Sequence, residues 1–287
     1  MIFFFFPTGR TLSISVTGTH CELMCDHCYA QYLKGMLTEE QALKLIEKNP
    51  DYYNSALISG GSTREGKVPV LQHIDFIKRL KKMGLRLNFH TGLLEKSEIL
   101  KLEPYIDRIS FDFMYDDNVI HNVYHLNKTK EDYERTYLMM RRILGGRAQD
   151  SPDEYPSTRV VPHFTMGLNC GKITEGDFRT IDELAYLKPR LLVIDVFIPT
   201  RNTPFAHCPV PTLSDVSKLL DKAHNRLTQT TLFFGCMRPF GKYREELDIM
   251  GYNKGVKGFV KPTKPLQKLV EWHNETVIKK EECCALI

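Results

Sequence analysis

Cys21, Cys25 and Cys28 stand within eight residues of one another in the run "THCELMCDHCYA". Thiolates at this C-x3-C-x2-C spacing on one short loop reach three irons of a cubane 4Fe–4S cluster and leave the fourth without a protein ligand. An open coordination position is what a catalytic metal centre keeps, whereas a structural centre is usually closed by four protein ligands. The same spacing permits a zinc site, with His27 or His20 as fourth ligand, or a structural thiol cluster. Cys283 and Cys284 are adjacent near the end of the chain, and Cys170, Cys208 and Cys236 stand singly between the two groups.

The elements that must position these thiols are legible as an alternation. Strand-like runs occupy 11–17, 56–60, 86–91, 108–113, 160–168, 191–198, 232–237 and 258–262. Several are apolar on both faces, as buried parallel strands are. Between them lie stretches with 3.6-residue apolar periodicity at 130–144, 174–187, 212–227, 242–251 and 265–281. Thr38-Glu39-Glu40-Gln41 is a capping box that opens a helix reaching about Asn49. "LQHIDFIKRLKKMG" closes on Gly84 at the position after a helix end. Eight strand–helix alternations predict a TIM-type (β/α)8 barrel, full or nearly closed. We expect one barrel domain over 1–287, with a cysteine-bearing tail at 279–287 and a long connection at 145–158. The C-x3-C-x2-C loop then follows the first barrel strand, on the face where barrel active sites assemble.

The bulk composition agrees with a soluble enzyme. Of 287 residues, 42% are hydrophobic and 26% charged, with enough chain to bury a large core. The formal net charge of +4 comes without a dense Lys/Arg stripe, which argues against nucleic-acid binding. The apolar opening "MIFFFF" is too short to span a bilayer and lacks the parts of a signal peptide, so it should pack on the core. We therefore expect a cytoplasmic protein, no membrane partner, and reduced cysteines without a disulfide framework.

The loop at Cys21, Cys25 and Cys28, with His27 before the third cysteine and Tyr29 after it, resembles that of the radical S-adenosylmethionine (radical SAM) superfamily. "LISGGS", ending at Ser62, resembles the family's Gly-Gly turn after strand two, although Ser62 replaces the usual acid. The resemblance implies that Gly60, Gly61 and Ser62 bind the amino group of S-adenosylmethionine. "HFTMGLNCGK" falls where the family contacts adenine, with Gly167 in place and Cys170 where an acid is frequent. Asp112, at the end of "RISFD", is a candidate acceptor for the ribose hydroxyls. The implied cofactors are a 4Fe–4S cluster and S-adenosylmethionine. The implied chemistry is reductive cleavage to a 5′-deoxyadenosyl radical, with an electron donor such as ferredoxin.

"FIPTRNTPF" resembles the strand-six segment of biotin synthases, and "FFGCMRPFGKYREELD" with "CCALI" resembles archaeal biotin-synthase homologues. One branch of these resembles a component of a two-protein lipoyl synthase. That resemblance implies sulfur insertion into an octanoyl-lysyl carrier protein, with a second radical SAM subunit as partner. Sulfur insertion needs a sacrificial source, and Cys236, Cys283 and Cys284 are candidate ligands of a second, auxiliary cluster. Cys170 and Cys208 are candidate neighbours of it, or small buried hydrophobes. Arg238 suits cluster ligation, charge neutralisation, a substrate carboxylate or an ordinary surface role. The alternatives are a single-cluster radical SAM enzyme performing methylation, epimerisation or rearrangement, and a non-catalytic zinc or iron–sulfur module. The terminal Cys-Ala-Leu-Ile also has the letters of a prenylation box. A second membrane signal, which stable anchoring usually needs, is missing beyond two lysines.

Overall fold

A computed structural model describes residues 1–7, 9–145 and 159–287. Ten strands form one all-parallel sheet: β1 (Ile2–Phe5), β2 (Thr11–Ser15), β3 (Ser55–Ser59), β4 (Arg86–Phe89), β5 (Arg108–Asp112), β6 (Val160–Met166), β7 (Leu191–Val196), β8 (Thr231–Phe234), β9 (Gly258–Val260) and β10 (Val277–Lys280). The spatial order is β10-β1-β9-β8-β7-β6-β5-β4-β3-β2. The eight expected strands are all present and curl into a nearly closed barrel whose ends, β10 and β2, do not pair. Phe6 N donates to Lys280 O of β10 at 2.7 Å, and Thr11 N, at the start of β2, donates to Pro7 O at 3.3 Å, so contacts of the described chain reach both edges of the sheet.

Nine helices among the described residues connect or cover the strands: α1 (Glu39–Lys48), α2 (Ile74–Lys82), α3 (Lys96–Leu102), α4 (Asp117–Asn122), α5 (Lys130–Leu144), α6 (Glu175–Leu187), α7 (Leu213–Arg226), α8 (Lys242–Asn253) and α9 (Lys264–Trp272). Thr38 closes the expected capping box with Gln41 at the start of α1. The expected long connection lies outside the described residues, apart from Gly145 at the end of α5.

Strand alternation divides the core in two. Outward residues such as Ile14, Ile58, Phe89, Phe111 and Ile194 join the helices in the main cluster. Inward Phe3, Phe5, Val161, Leu191, Val193, Phe233 and Val260 form a second cluster inside the barrel, and Cys284 and Ala285 of the tail complete it. Each phenylalanine buried this way contributes roughly 1.5–3 kcal/mol.

One expectation is extended and another needs correction. "MIFFFF" does more than pack on the core: it supplies β1, hydrogen-bonded between β9 and β10. The helix expected over 265–281 ends at Trp272, because Asn274 adopts a left-handed backbone (φ 53°). Val277 and Ile278 then pair with the open edge of β1. Pairing with a waiting strand edge outweighs local helical periodicity there. No helix among the described residues is long and apolar enough to cross a membrane.

Candidate active site

The loop after β2 is shaped by left-handed backbone at Met24, Tyr29 and Ala30, and by short bonds to the Cys25 carbonyl. Cys28 N and Tyr29 N both donate to Cys25 O, at 3.1 and 2.8 Å. Cys25 is buried, and Cys21 and Cys28 are half-buried. The Cys25–Cys28 contact pushes the two thiols apart. It raises Cys25, with burial adding to the shift, and it lowers Cys28. The turn after β3 is knit onto this loop. Glu22 N donates to Ser62 O (2.9 Å), Gly61 N to Thr17 Oγ1 (2.7 Å), and Thr17 Oγ1 to His20 O (2.9 Å). A Cβ on Gly61 would lie 1.9 Å from His20 O and 2.6 Å from Cys21 Cα. Only glycine lets the two loops approach this closely.

This donor set fits a thiolate-bound cluster: three thiols on one loop, wedged against a glycine cradle. His27 packs its ring 5.0 Å from Tyr124, and burial lowers it to about 4, so it is neutral near pH 7. Its Nδ1 is buried without a hydrogen-bond partner. Tyr29 is 40% exposed at the rim.

Beneath the loop, polar side chains occupy the inward positions of the central strands. His90 Nε2 lies 3.1 Å from Asp112 Oδ1, and the His90 and His163 rings are 5.8 Å apart. The His90 and Asp112 side chains retain 32% and 47% of their exposure although they sit within the ring of strands, so the barrel encloses an open chamber. Burial opposes the charge on both. The mutual attraction prevails, holding Asp112 below and His90 above its ordinary value. Burial lowers His163 to about 4. Asp112, expected to receive ribose hydroxyls, is thus engaged with His90 while still facing the chamber. Gly167 has a left-handed backbone (φ +76°) and gives its amide to Asp177 Oδ1 at 3.0 Å. Pro211 Cγ would lie 2.5 Å from a Cβ there.

The tail enters the barrel from below. Arg86 pairs with Glu282 (2.6 Å) and donates to Leu286 O, and Arg108 donates to Ile287 O (3.0 Å). Cys283 Sγ accepts from Asn88 Nδ2 at 3.4 Å. Hydrogen bonding from the Cys284 thiol, with smaller help from Asn88 and His90, lowers Cys283 to about 7 despite its burial. Cys284 is correspondingly raised. Cys236, in the loop after β8, lies within electrostatic reach of Cys283, Cys284 and Asp195, and desolvation pushes it up to about 12.

The structure overturns two readings of this region. Cys170 and Cys208 are joined by a disulfide, contrary to the expected absence of disulfides, because their loops pack face to face. Arg238 is fully buried and pairs with Asp248 at 3.1 Å. It also donates to Gly235 O and Val260 O, so its role is to brace the loop that carries Cys236.

Asp195 accepts from Met237 N at 2.8 Å, and burial pushes it up to about 7. A carboxyl whose folded pKa is raised holds its proton in the native state while the unfolded chain has already lost it. Its contribution is therefore present at low pH and lost as pH rises through about 7. The Tm of Asp195→Asn relative to wild type should rise between pH 5 and pH 8 at equal cluster loading. A constant difference would refute this assignment.

Sequence reasoning passed over His90, His163, Asp195 and Asn88. The available signal was a polar residue at an inward position of otherwise apolar runs, as in "RLNFH" and "LLVIDV".

With the geometry in place, the chain can be set beside known proteins. No family model matches it, and no curated protein matches its sequence. Solved structures do. Methylornithine synthase (PylB) superposes with a TM-score of 0.62 at 11% identity, over 96% of this chain and 83% of that one. The [FeFe]-hydrogenase maturase HydG of Carboxydothermus hydrogenoformans gives 0.61 at 15% identity, over 99% and 68%. The fold is that of the radical SAM barrels. SuiB of Streptococcus suis, solved with S-adenosylmethionine bound, gives 0.56 at 12% identity. This chain covers 83% of its own length and 52% of SuiB.

Proposed function

We propose that this protein is a radical SAM enzyme that inserts sulfur into unactivated C–H bonds, as a lipoyl synthase component acting on an octanoyl-lysyl carrier protein. The observation that carries the reading is one chamber with thiols at both ends. Cys28 lies within electrostatic reach of Asp112, Asp112 bonds His90, and His90 lies within reach of Cys283.

Cys21, Cys25 and Cys28 would hold the 4Fe–4S cluster, which when bound supplies the electron that cleaves S-adenosylmethionine. Gly60, Gly61 and Ser62 offer backbone groups beside that loop for the amino group of S-adenosylmethionine. Asp112, kept ionised by His90, accepts hydrogen bonds from hydroxyls entering the chamber. His27 closes the side toward Tyr124 as a neutral ring. The apolar floor around Phe3, Phe5 and Phe233 excludes water from beneath. Cys236, Cys283 and Cys284 would hold the auxiliary cluster that provides sulfur. A carrier protein, a second radical SAM subunit and a ferredoxin-type donor are the partners this reading requires.

One observation favours a single-cluster enzyme instead: Cys284 is packed among Phe5, Phe233 and Val260 as an ordinary buried side chain. Anaerobic reconstitution with iron and sulfide counting, then turnover with dithionite and an octanoyl-lysyl peptide, separates the two. Two clusters give about eight irons per chain, 5′-deoxyadenosine, and a product heavier by one or two sulfurs when the partner subunit is present. Cys28→Ala should reduce 5′-deoxyadenosine to background. About four irons and a product without added sulfur would support the single-cluster reading. A colourless, zinc-loaded protein that leaves S-adenosylmethionine intact would defeat both.

A further inference from the structure

Outside the chamber, Cys170, His207 and Cys208 bring two sulfurs and an imidazole nitrogen within 4.8 Å of one another, the one such group among the described residues. Their two loops are built to converge. A Cβ on Gly171 would lie 1.8 Å from Pro209 O, so the turn carrying Cys170 rests directly on the backbone beyond Cys208. Gly171 N donates to Gly167 O (2.9 Å) and Cys208 N to Phe205 O (3.1 Å), which fixes each thiol in its own tight turn. Cys208 is buried, Cys170 half-buried and His207 exposed. A disulfide requires two sulfurs. The third donor, on the water-facing side, is what a soft divalent ion requires: two thiolates, one imidazole and an open position for water.

We propose that Cys170, His207 and Cys208 form a mononuclear soft-metal site of zinc type when the disulfide is reduced. A dithiol reduces the disulfide to two thiols by giving two electrons and two protons and closing its own disulfide, whereas a phosphine gives two electrons and becomes the phosphine oxide, with the oxygen and both protons taken from one water. Binding of Zn²⁺ to both sulfurs and the neutral imidazole then releases two protons. The strongly reducing conditions that radical SAM chemistry requires favour the dithiol. The disulfide and the metal are alternative clasps between the same two loops. The clasped segment covers the cysteine loop: Phe205 N donates to Asp26 O at 3.2 Å, and Thr200 Oγ1 lies 2.8 Å from Tyr32 Oη.

The test is a Co²⁺ titration of the full-length, cluster-reconstituted protein, reduced anaerobically with a phosphine and freed of it. Thiol counting on a denatured sample verifies the reduction. One Co²⁺ should produce thiolate-to-cobalt charge transfer and tetrahedral visible bands, both erased by Zn²⁺. The signal should be absent from Cys170→Ser/Cys208→Ser. Loss of an outer-shell partner alone weakens metal binding about 10–100-fold, so His207→Ala, at an exposed position, should weaken cobalt binding at least about tenfold. Bands that persist in the double serine variant, fail to appear in the reduced wild type, or titrate unchanged in His207→Ala would overturn the site. So would loss of a cubane's iron from the double serine variant. None of these readouts depends on S-adenosylmethionine cleavage.

Discussion

On the sulfur-insertion reading proposed above, Cys283→Ala/Cys284→Ala should abolish sulfur insertion while leaving 5′-deoxyadenosine formation within about twofold of wild type. The two functions separate because the tail thiols and the loop of Cys21, Cys25 and Cys28 occupy opposite ends of the chamber. Iron should fall from about eight to about four per chain. Cys283 is held by the Asn88 amide, and Cys284 fills a place in the inner core. Truncating Cys284 therefore also leaves a small cavity, at a cost of about 1 kcal/mol. Unfolding measurements on the variant distinguish that modest loss from a collapse of the floor. Equal loss of cleavage and insertion in a variant of near-wild-type stability would show that the tail serves the first cluster or the barrel as a whole.

Arg238→Ala should be among the most destabilising single changes in the chain. Arg238 and Asp248 are both fully buried, and the variant leaves the Asp248 carboxylate without its cation. Breaking a buried pair from one side typically costs about 3–5 kcal/mol. Asp248 retains the bond from Thr263 N at 3.0 Å and the more distant charge of Arg244, Gly235 O loses a charged donor, and Val260 O keeps only that of Arg244. Denaturant unfolding should show the full shift, and Arg238→Ala/Asp248→Ala should recover part of it. A loss below about 1 kcal/mol would place the pair in the range of solvent-screened ion pairs and remove the bracing role assigned to Arg238.

The barrel was legible because its strands carry apolar runs on both faces and its helices carry caps. Thr38 with Gln41 and the eight strand positions were readable on that basis. Strands β1 and β10 were not. "MIFFFF" has no polar alternation, because β1 is buried on both faces, and "TVIKK" continued a helical pattern up to the moment a partner edge was available. The cysteine loop stood out by its spacing, which alone left iron–sulfur and zinc readings open, and the glycine turn stood out through the family resemblance. What spacing could not convey was which distant residues meet. Cys170 and Cys208 come together only through the packing of two loops, and Cys283 reaches Asn88 only because the tail turns into the barrel. His90, just past β4, and Asp112, at the end of β5, were separate letters until the parallel pairing of the two strands brought them diagonally together.

The position of β1 has a consequence for how the molecule is made. Ile2–Phe5 is made well before its partners Gly258–Val260 and Val277–Lys280, which follow it in the chain only after the other seven strands. An apolar strand with both edges open is an aggregation template, and pairings this distant in sequence form slowly. Throughout synthesis the nascent chain thus presents four consecutive sticky residues with no partner yet in existence. Slowed translation lengthens the interval before its partners are made, and with it the exposure of this strand to aggregation.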